Sequence, residues 1–139
     1  MTSILDFQLK LTNRLLIWSG LNIVSGIILA LLADPFWKGF GIQAIIWGLI
    51  DAFIAIIGRY NTRKKYSSVT SSDQSAKEAS KLRRILFINT VLDVLYISFG
   101  VTLTFVSDNP FWRGNGFGII IQGIFLFLFD LTHKLRIKE

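Results

Sequence analysis

The chain alternates between long apolar runs and short polar segments. The apolar runs cover about residues 15–33, 40–58, 85–106 and 117–131, and the first of them contains no charged residue. A helix needs about 20 predominantly apolar residues to cross a bilayer core. The pattern therefore predicts four transmembrane helices joined by polar connections.

The connections after the first and third runs carry the same motif. One reads Asp-Pro-Phe-Trp-Lys-Gly-Phe-Gly from residue 34 and the other Asn-Pro-Phe-Trp-Arg-Gly-Asn-Gly from residue 109, and they hold the only two prolines of the chain. Internal similarity of this kind indicates a repeated structural unit. We predict an all-α integral membrane fold in which four transmembrane helices form two tandem parallel hairpin repeats.

The polar segments define the organisation of the chain. Residues 76–84 are good helix formers, so the linker helix is predicted to continue into the third span, with Ser75 and Glu78 as a capping box. A signal peptide is rejected for the first run because the same pattern returns at residues 85–116. The predicted parts are an amphipathic interfacial segment (1–14), a first transmembrane hairpin (15–58), a cytoplasmic basic linker (59–84), a second transmembrane hairpin (85–131) and a basic cytoplasmic tail (132–139).

Composition and charge placement agree with a membrane protein. Hydrophobic residues make up 52% of the chain, and the net charge is +6. Of the fifteen lysines and arginines, only Lys38 and Arg113 lie at the corners, and the other thirteen lie in the N-terminal segment, the linker and the tail. The positive-inside rule then predicts a cell-membrane protein with both termini cytoplasmic. Nucleic acid is not an expected partner, because Tyr60 and Tyr66 are the only aromatic residues interleaved with the basic residues of the linker.

The corner motifs suit the membrane surface. Tryptophan favours the headgroup layer and a basic side chain can reach lipid phosphate, so Trp37, Lys38, Trp112 and Arg113 are predicted headgroup anchors. The proline is expected to stop the preceding helix, and the two glycines to let the chain turn back. A lipid-headgroup or anionic-ligand site at these residues is the alternative.

The chain has few of the residue types that usually carry out catalysis. The chain has no cysteine and a single histidine, His133, which is expected at the interface. We find no metal-ligand set, no nucleophile with an adjacent base and no phosphate-binding loop. The sequence predicts a protein without cofactor or metal that is not an enzyme.

Polar residues inside the spans are the candidate functional residues, because each is costly in lipid. Asn22, Asp51 and Asp93 all lie about 12 Å from the cytoplasmic end, at ~1.5 Å of rise per residue. They either form interhelical hydrogen bonds worth about 1 kcal/mol each, or make a proton or cation site in which Asp51 and Asp93 face each other with Asn22 and Gln43 as neutral ligands. The full set is Asn22, Gln43, Asp51, Asn89, Asp93 and Gln122.

Neighbouring residues of the fourth span are expected to serve other purposes. Asp130 has Lys134 four residues later, which predicts an interfacial ion pair. Phe125, Phe127 and Phe129 are expected to face lipid or another subunit. Small residues repeat every four positions on three spans, which predicts close helix seams.

The segment Gly41-x-Gln43-x-x-x-Trp47-Gly48-x-x-Asp51-Ala52, together with the corners, resembles small bacterial four-span membrane proteins of uncharacterised function. Those proteins are also built from a doubled two-helix hairpin. The resemblance implies the fold and supplies no activity.

Three functions are weighed from the sequence. The first is a non-enzymatic structural or accessory subunit, which fits a four-helix bundle too small to bury much surface and so expected to form a homo-oligomer or join a larger membrane complex. The alternative is a small proton or cation transporter or channel that uses Asp51 and Asp93. An intramembrane enzyme comes third, because His133 is the single histidine.

Overall fold

The computed structural model describes residues 3–32, 34–67 and 71–137, which are almost entirely helical. Within these residues, each of four α-helices holds a segment long and apolar enough to cross a membrane. The predicted all-α fold with four apolar helices is thus confirmed. The elements are α1 (Ser3–Ala30), α2 (Pro35–Lys64), a single 3₁₀ turn (Lys65–Ser67), α3 (Ser72–Val106) and α4 (Pro110–Arg136).

The corner motifs begin helices. Each proline is the first residue of its helix, where its missing N–H costs nothing. The side chains of Asp34 and Asn109 cap these helices by accepting hydrogen bonds of 2.9 Å from the backbone N–H of Phe36 and Phe111. The corner glycines therefore lie inside α2 and α4, and no described glycine has a positive φ. The expectation that these glycines turn the chain is wrong.

The basic linker is mostly helical. Its second helix is continuous with the third span, as the composition predicted, but it starts with a different capping box. Ser71 Oγ accepts from the Gln74 N–H at 3.2 Å, and Gln74 Oε1 accepts from the Ser71 N–H at 3.2 Å. The predicted box of Ser75 and Glu78 is not the cap, because α3 already begins at Ser72 and both residues lie inside it. Glu78 instead pairs with Lys65 at 2.9 Å.

The helices pack as two hairpins joined through their second members. α1 packs on α2, α3 packs on α4, and α2 packs on α4, whereas α2 and α3 barely touch. α4 is the most enclosed helix, with 56% of its most apolar segment buried against 17% for α3. A gap between α2 and α3 follows from this arrangement.

Glycines mark the closest helix approaches. A Cβ on Gly26 would lie 2.6 Å from the Gly41 carbonyl oxygen, and a Cβ on Gly100 would lie 2.8 Å from that of Gly116. Helices whose backbones come this close exclude larger side chains at the contact. The prediction that small residues mark the helix seams is confirmed.

The start of α1, the 3₁₀ turn and the start of α3 meet at one end of the bundle, which we call the linker end; the opposite end is the corner end. Ile4 and Leu5 are buried there against Ala79. The Tyr66 hydroxyl donates a hydrogen bond to the Asp6 carboxylate. This bond raises the pKa of Tyr66 above its ordinary value. Residues 3–14 are part of the continuous helix α1.

Candidate functional site

A cavity of about 390 Å³ fills the gap between α2 and α3. Its walls are largely apolar, and its polar residues lie toward its two ends. The ion pair of Lys65 and Glu78 lies at the linker end, and the carboxyl groups of Asp51, Asp93 and Asp130 lie deeper in the bundle. The cavity thus connects the polar linker end with three acidic side chains.

Three helices contribute to this carboxyl cluster, which we define as Asp51 of α2, Asp93 of α3 and Asp130 of α4. Their side chains are almost completely enclosed, with exposed fractions of 3%, 2% and 7%. The carboxyl groups of Asp93 and Asp130 lie within hydrogen-bonding reach of each other, and Asp51 is near enough to interact electrostatically with both. Two carboxyl groups form a hydrogen bond only when one of them carries a proton. A proton shared between Asp93 and Asp130 would join them by such a hydrogen bond.

Two oxygens of the cluster lack partners. Asp51 Oδ2 and Asp93 Oδ2 are buried and accept no hydrogen bond from any residue that the structure describes. A buried carboxylate oxygen without a partner is costly. Both side chains line the cavity, so these oxygens are open to a proton, a water molecule or another cation that enters it.

The expected ion pair between Asp130 and Lys134 is wrong. Lys134 Nζ lies 5.6 Å from the centre of the Phe87 ring, and Asp130 instead points into the bundle toward Asp93. The reason is the position of α4, whose enclosed face includes residue 130. Asp130 belongs to the candidate site, and the spacing of eight residues from Gln122 was the signal that it shares an inward face.

The phenylalanines of α4 are also more enclosed than expected. Phe129 is buried, and Phe125 stacks on Trp18 with ring centres 3.6 Å apart and an angle of 11° between the planes. These two rings therefore pack inside the bundle. The expectation that Phe125 and Phe129 face lipid or another subunit is wrong because α4 packs against both α3 and α2.

Two of the predicted polar residues form a closed hydrogen-bonded set with Trp18. Trp18 Nε1 donates to Gln122 Oε1 at 3.3 Å, and Gln122 Nε2 donates to Asn22 Oδ1 at 2.7 Å. Asn22 Nδ2 in turn donates to the Trp18 carbonyl at 3.0 Å. This triad links α1 with α4.

A second triad of the same three residue types links α2 with α4. Trp47 Nε1 donates to Gln43 Oε1 at 3.2 Å, and Gln43 Nε2 donates to Asn115 Oδ1 at 2.8 Å. Asn115 Nδ2 donates to the Phe111 carbonyl at 2.9 Å. Both polar atoms of the Gln43 side chain therefore form hydrogen bonds within the bundle, and Gln43 does not line the cavity. Asn22 does the same in the first triad, so neither residue serves as a neutral ligand beside the carboxyl cluster.

The inner part of the cavity has an aromatic wall. The rings of Trp47 and Tyr96 meet edge to face, with centres 5.1 Å apart, and both line the cavity with Asn89. Sequence reasoning missed Tyr96. The available signal was its position three residues after Asp93, which places both on one helix face.

His133 is buried close to the cluster and has its ring nitrogens occupied. Arg14 donates to Nε2 at 3.0 Å, and Nδ1 donates to the Phe129 carbonyl at 2.7 Å. Its side chain is 4% exposed and lies in the last turn of α4. Within residues 3–32, 34–67 and 71–137, no three His, Cys, Asp or Glu side chains are grouped so as to hold a metal ion.

The corner residues lie at the opposite end of the bundle from the mouth of the cavity. Trp37, Lys38, Trp112 and Arg113 all occupy the first turns of α2 and α4 and are exposed. None of them lines the cavity. The candidate site at the corners is therefore separate from the carboxyl cluster.

The fold defines an all-α protein with four helices able to span a membrane. Residues 14–131 match the model of a family of unknown function, DUF6992. Because this match covers most of the chain, the protein belongs to that family, and the expected membership of an uncharacterised family is confirmed. No curated protein and no solved structure matches the chain.

Proposed function

We propose that this is an integral protein of the cell membrane whose helices cross the bilayer with both termini and the linker on the cytoplasmic side. The outer surface supports this, since large apolar side chains such as Leu31 (80% exposed) and Phe105 (77% exposed) point away from the bundle. Such a surface is stable only when something apolar covers it. The thirteen basic residues away from the corners support the orientation. On this arrangement the corner tryptophans and basic residues reach the outer headgroup layer.

The two hairpins are proposed to be repeats related by a pseudo-twofold axis along the membrane normal. Supporting observations come in pairs. The contact of Gly26 with Gly41 has its counterpart in the contact of Gly100 with Gly116. Asp34 and Asn109 cap corresponding helices with the same geometry.

The proposed function is the binding and transfer of protons or other cations at the carboxyl cluster. The observation that carries it is the pair of unpartnered, buried oxygens of Asp51 and Asp93, both in a cavity that extends to the linker end. Intramembrane carboxylates that face a cavity are the usual elements of proton and ion pathways. A purely structural role would leave them paired in a closed helix seam. The structural or accessory subunit, the homo-oligomer and the larger complex stay predictions.

Flux in proteoliposomes tests this function. The purified protein is reconstituted with a pH-sensitive dye inside, and a potassium gradient with valinomycin sets the membrane potential. We expect proton flux above that of protein-free liposomes, or a cation flux when sodium or potassium gradients are imposed. The proposal would be contradicted if the flux equalled that of protein-free liposomes in all three conditions: the potential set by potassium and valinomycin, the sodium gradient and the potassium gradient.

Asp34→Asn is the matched control variant. It removes an exposed carboxylate and keeps the helix cap, because Asn109 caps α4 in the same way. We expect its flux to equal that of the wild type.

A further inference from the structure

The cavity is larger than a site for a proton or a single inorganic ion needs to be. Its volume of about 390 Å³ lies in the range of about 300–1,000 Å³ that is typical of small-molecule sites. A water molecule occupies roughly 30 Å³ in the liquid. A proton or a single inorganic ion would leave most of the apolar wall without contact.

The chemistry of the inner part selects positive charge. Asp51 and Asp93 offer unpartnered carboxylate oxygens, and the rings of Trp47 of α2 and Tyr96 of α3 line the same cavity. Aromatic faces attract cations, and quaternary ammonium groups are commonly recognised by such rings. An ammonium group here would gain both charge pairing and ring contacts.

The two routes into the cavity differ in polarity. At the linker end, Lys81 and the ion pair of Lys65 and Glu78 line the mouth, so this entrance is polar. Along the side, Ile54 of α2 and Leu92 of α3 line the cavity and are also exposed on the outer surface, at 55% and 38%. In a bilayer this gap between α2 and α3 would open to lipid. A cation with an apolar body can enter that way.

We propose that the cavity binds a lipophilic organic cation, with its ammonium group at Asp51 and Asp93 and its apolar body against Trp47, Tyr96 and the aliphatic wall. This inference rests on the proposed cation handling at the same cluster and names its ligand class. The ligand exchanges with the bilayer through the gap between α2 and α3. Binding places positive charge beside the carboxylate oxygens that accept no hydrogen bond from a described residue.

A pair of matched probes tests the charge requirement. Benzyltrimethylammonium carries a cationic nitrogen where neopentylbenzene, of nearly the same shape, has a carbon. Binding to the full chain in nanodiscs is followed by titration calorimetry. We expect the ammonium to bind at least about tenfold more tightly than the isostere, a difference of ~1.4 kcal/mol. Equal affinity of the two probes would overturn the inference.

Variants locate the probe. Asp51→Asn should weaken ammonium binding about tenfold or more, while Asp34→Asn should leave it unchanged. Tyr96→Leu should weaken it about tenfold and Tyr96→Phe less than about twofold, because the ring and not the hydroxyl contacts the cation. A Tyr96→Leu variant that binds like the wild type would place the probe elsewhere and overturn the inference.

The two proposals fail in different ways. If proteoliposomes show Asp51-dependent proton flux but the probes bind alike, the organic-cation inference is wrong and the proposed function stands. If charge-selective binding is found without any flux, the binding site stands and the proposed transfer is wrong.

Discussion

Asp51→Asn and Asp93→Asn are each expected to lower cation or proton flux in proteoliposomes by about tenfold or more, equivalent to a rise of ~1.4 kcal/mol in the barrier. Asparagine has nearly the shape of aspartate but can neither carry a negative charge nor release a proton. Both side chains place an unpartnered oxygen in the cavity, so each substitution removes one of the two groups open to an incoming cation. The flux assay with valinomycin measures the effect directly.

Asp130→Asn tests whether Asp130 contributes less to the flux than Asp93 does. Asp130 lies within hydrogen-bonding reach of Asp93, and an asparagine amide can replace a protonated carboxyl group as the donor in that contact. We therefore expect Asp130→Asn to retain more flux than Asp93→Asn. Size-exclusion profiles confirm that each variant is folded. Wild-type flux in folded Asp51→Asn and Asp93→Asn would remove the cluster from the mechanism.

Gly114→Ala is expected to destabilise the bundle by about 3 kcal/mol, the upper part of the range for overpacking a close contact. A Cβ on Gly114 would overlap the carbonyl oxygen of Phe36, and a Cβ on Gly39 would overlap that of Phe111. These neighbours are backbone atoms, which cannot move aside without separating α2 from α4. Gly39→Ala should therefore have an effect of similar size. Thermal unfolding in detergent, followed by size-exclusion chromatography, measures both.

Gly20→Ala is the control for this seam. No atom lies within 4 Å of the added methyl group, and Gly20 is exposed on α1. Alanine favours a helix over glycine by up to about 1 kcal/mol in water. Its stability should equal or exceed that of the wild type. If Gly114→Ala melted at the same temperature as Gly20→Ala, α2 and α4 would not cross at their corner glycines.

The helices and their seams could be predicted because they depend on local properties of the chain. A run of apolar residues is visible in any window, and small residues four positions apart lie on one helix face. Gly26 and Gly48 both lie at contacts between α1 and α2, as the small-residue pattern indicated. Hydrogen bonds between residues far apart in the sequence could not be predicted in this way. The hydrogen bonds of Gln43 with Asn115 and of Gln122 with Asn22 join residues 72 and 100 positions apart, and no local pattern specifies such partners.

Asp130 shows why part of the site escaped sequence reasoning. A lysine four residues later offered a sufficient local partner on the surface of a helix. The partner was decided by tertiary packing, since α4 packs against α3 and α2 and residue 130 lies on its enclosed face near Asp93. The prediction that the corner glycines turn the chain was wrong for a related reason. Their conformation depends on where the cap starts the helix, and the caps at Asp34 and Asn109 start it before the glycines.

Cysteine accessibility shows whether water reaches the carboxyl cluster through the cavity from the cytoplasmic side. The chain has no cysteine, so single replacements need no background changes. Asn89 lines the cavity wall, whereas Phe53 is 66% exposed on the outer surface of α2 and does not line the cavity. Methanethiosulfonate reagents react with thiolates, which form in water and not in lipid.

The measurement compares Asn89→Cys with Phe53→Cys in inside-out vesicles, using a membrane-impermeant cationic methanethiosulfonate and mass spectrometry. We expect Asn89→Cys to be modified and Phe53→Cys to stay unmodified. An unmodified Asn89→Cys, or equal modification of the two, would show that no aqueous path leads into the cavity from the cytoplasmic side.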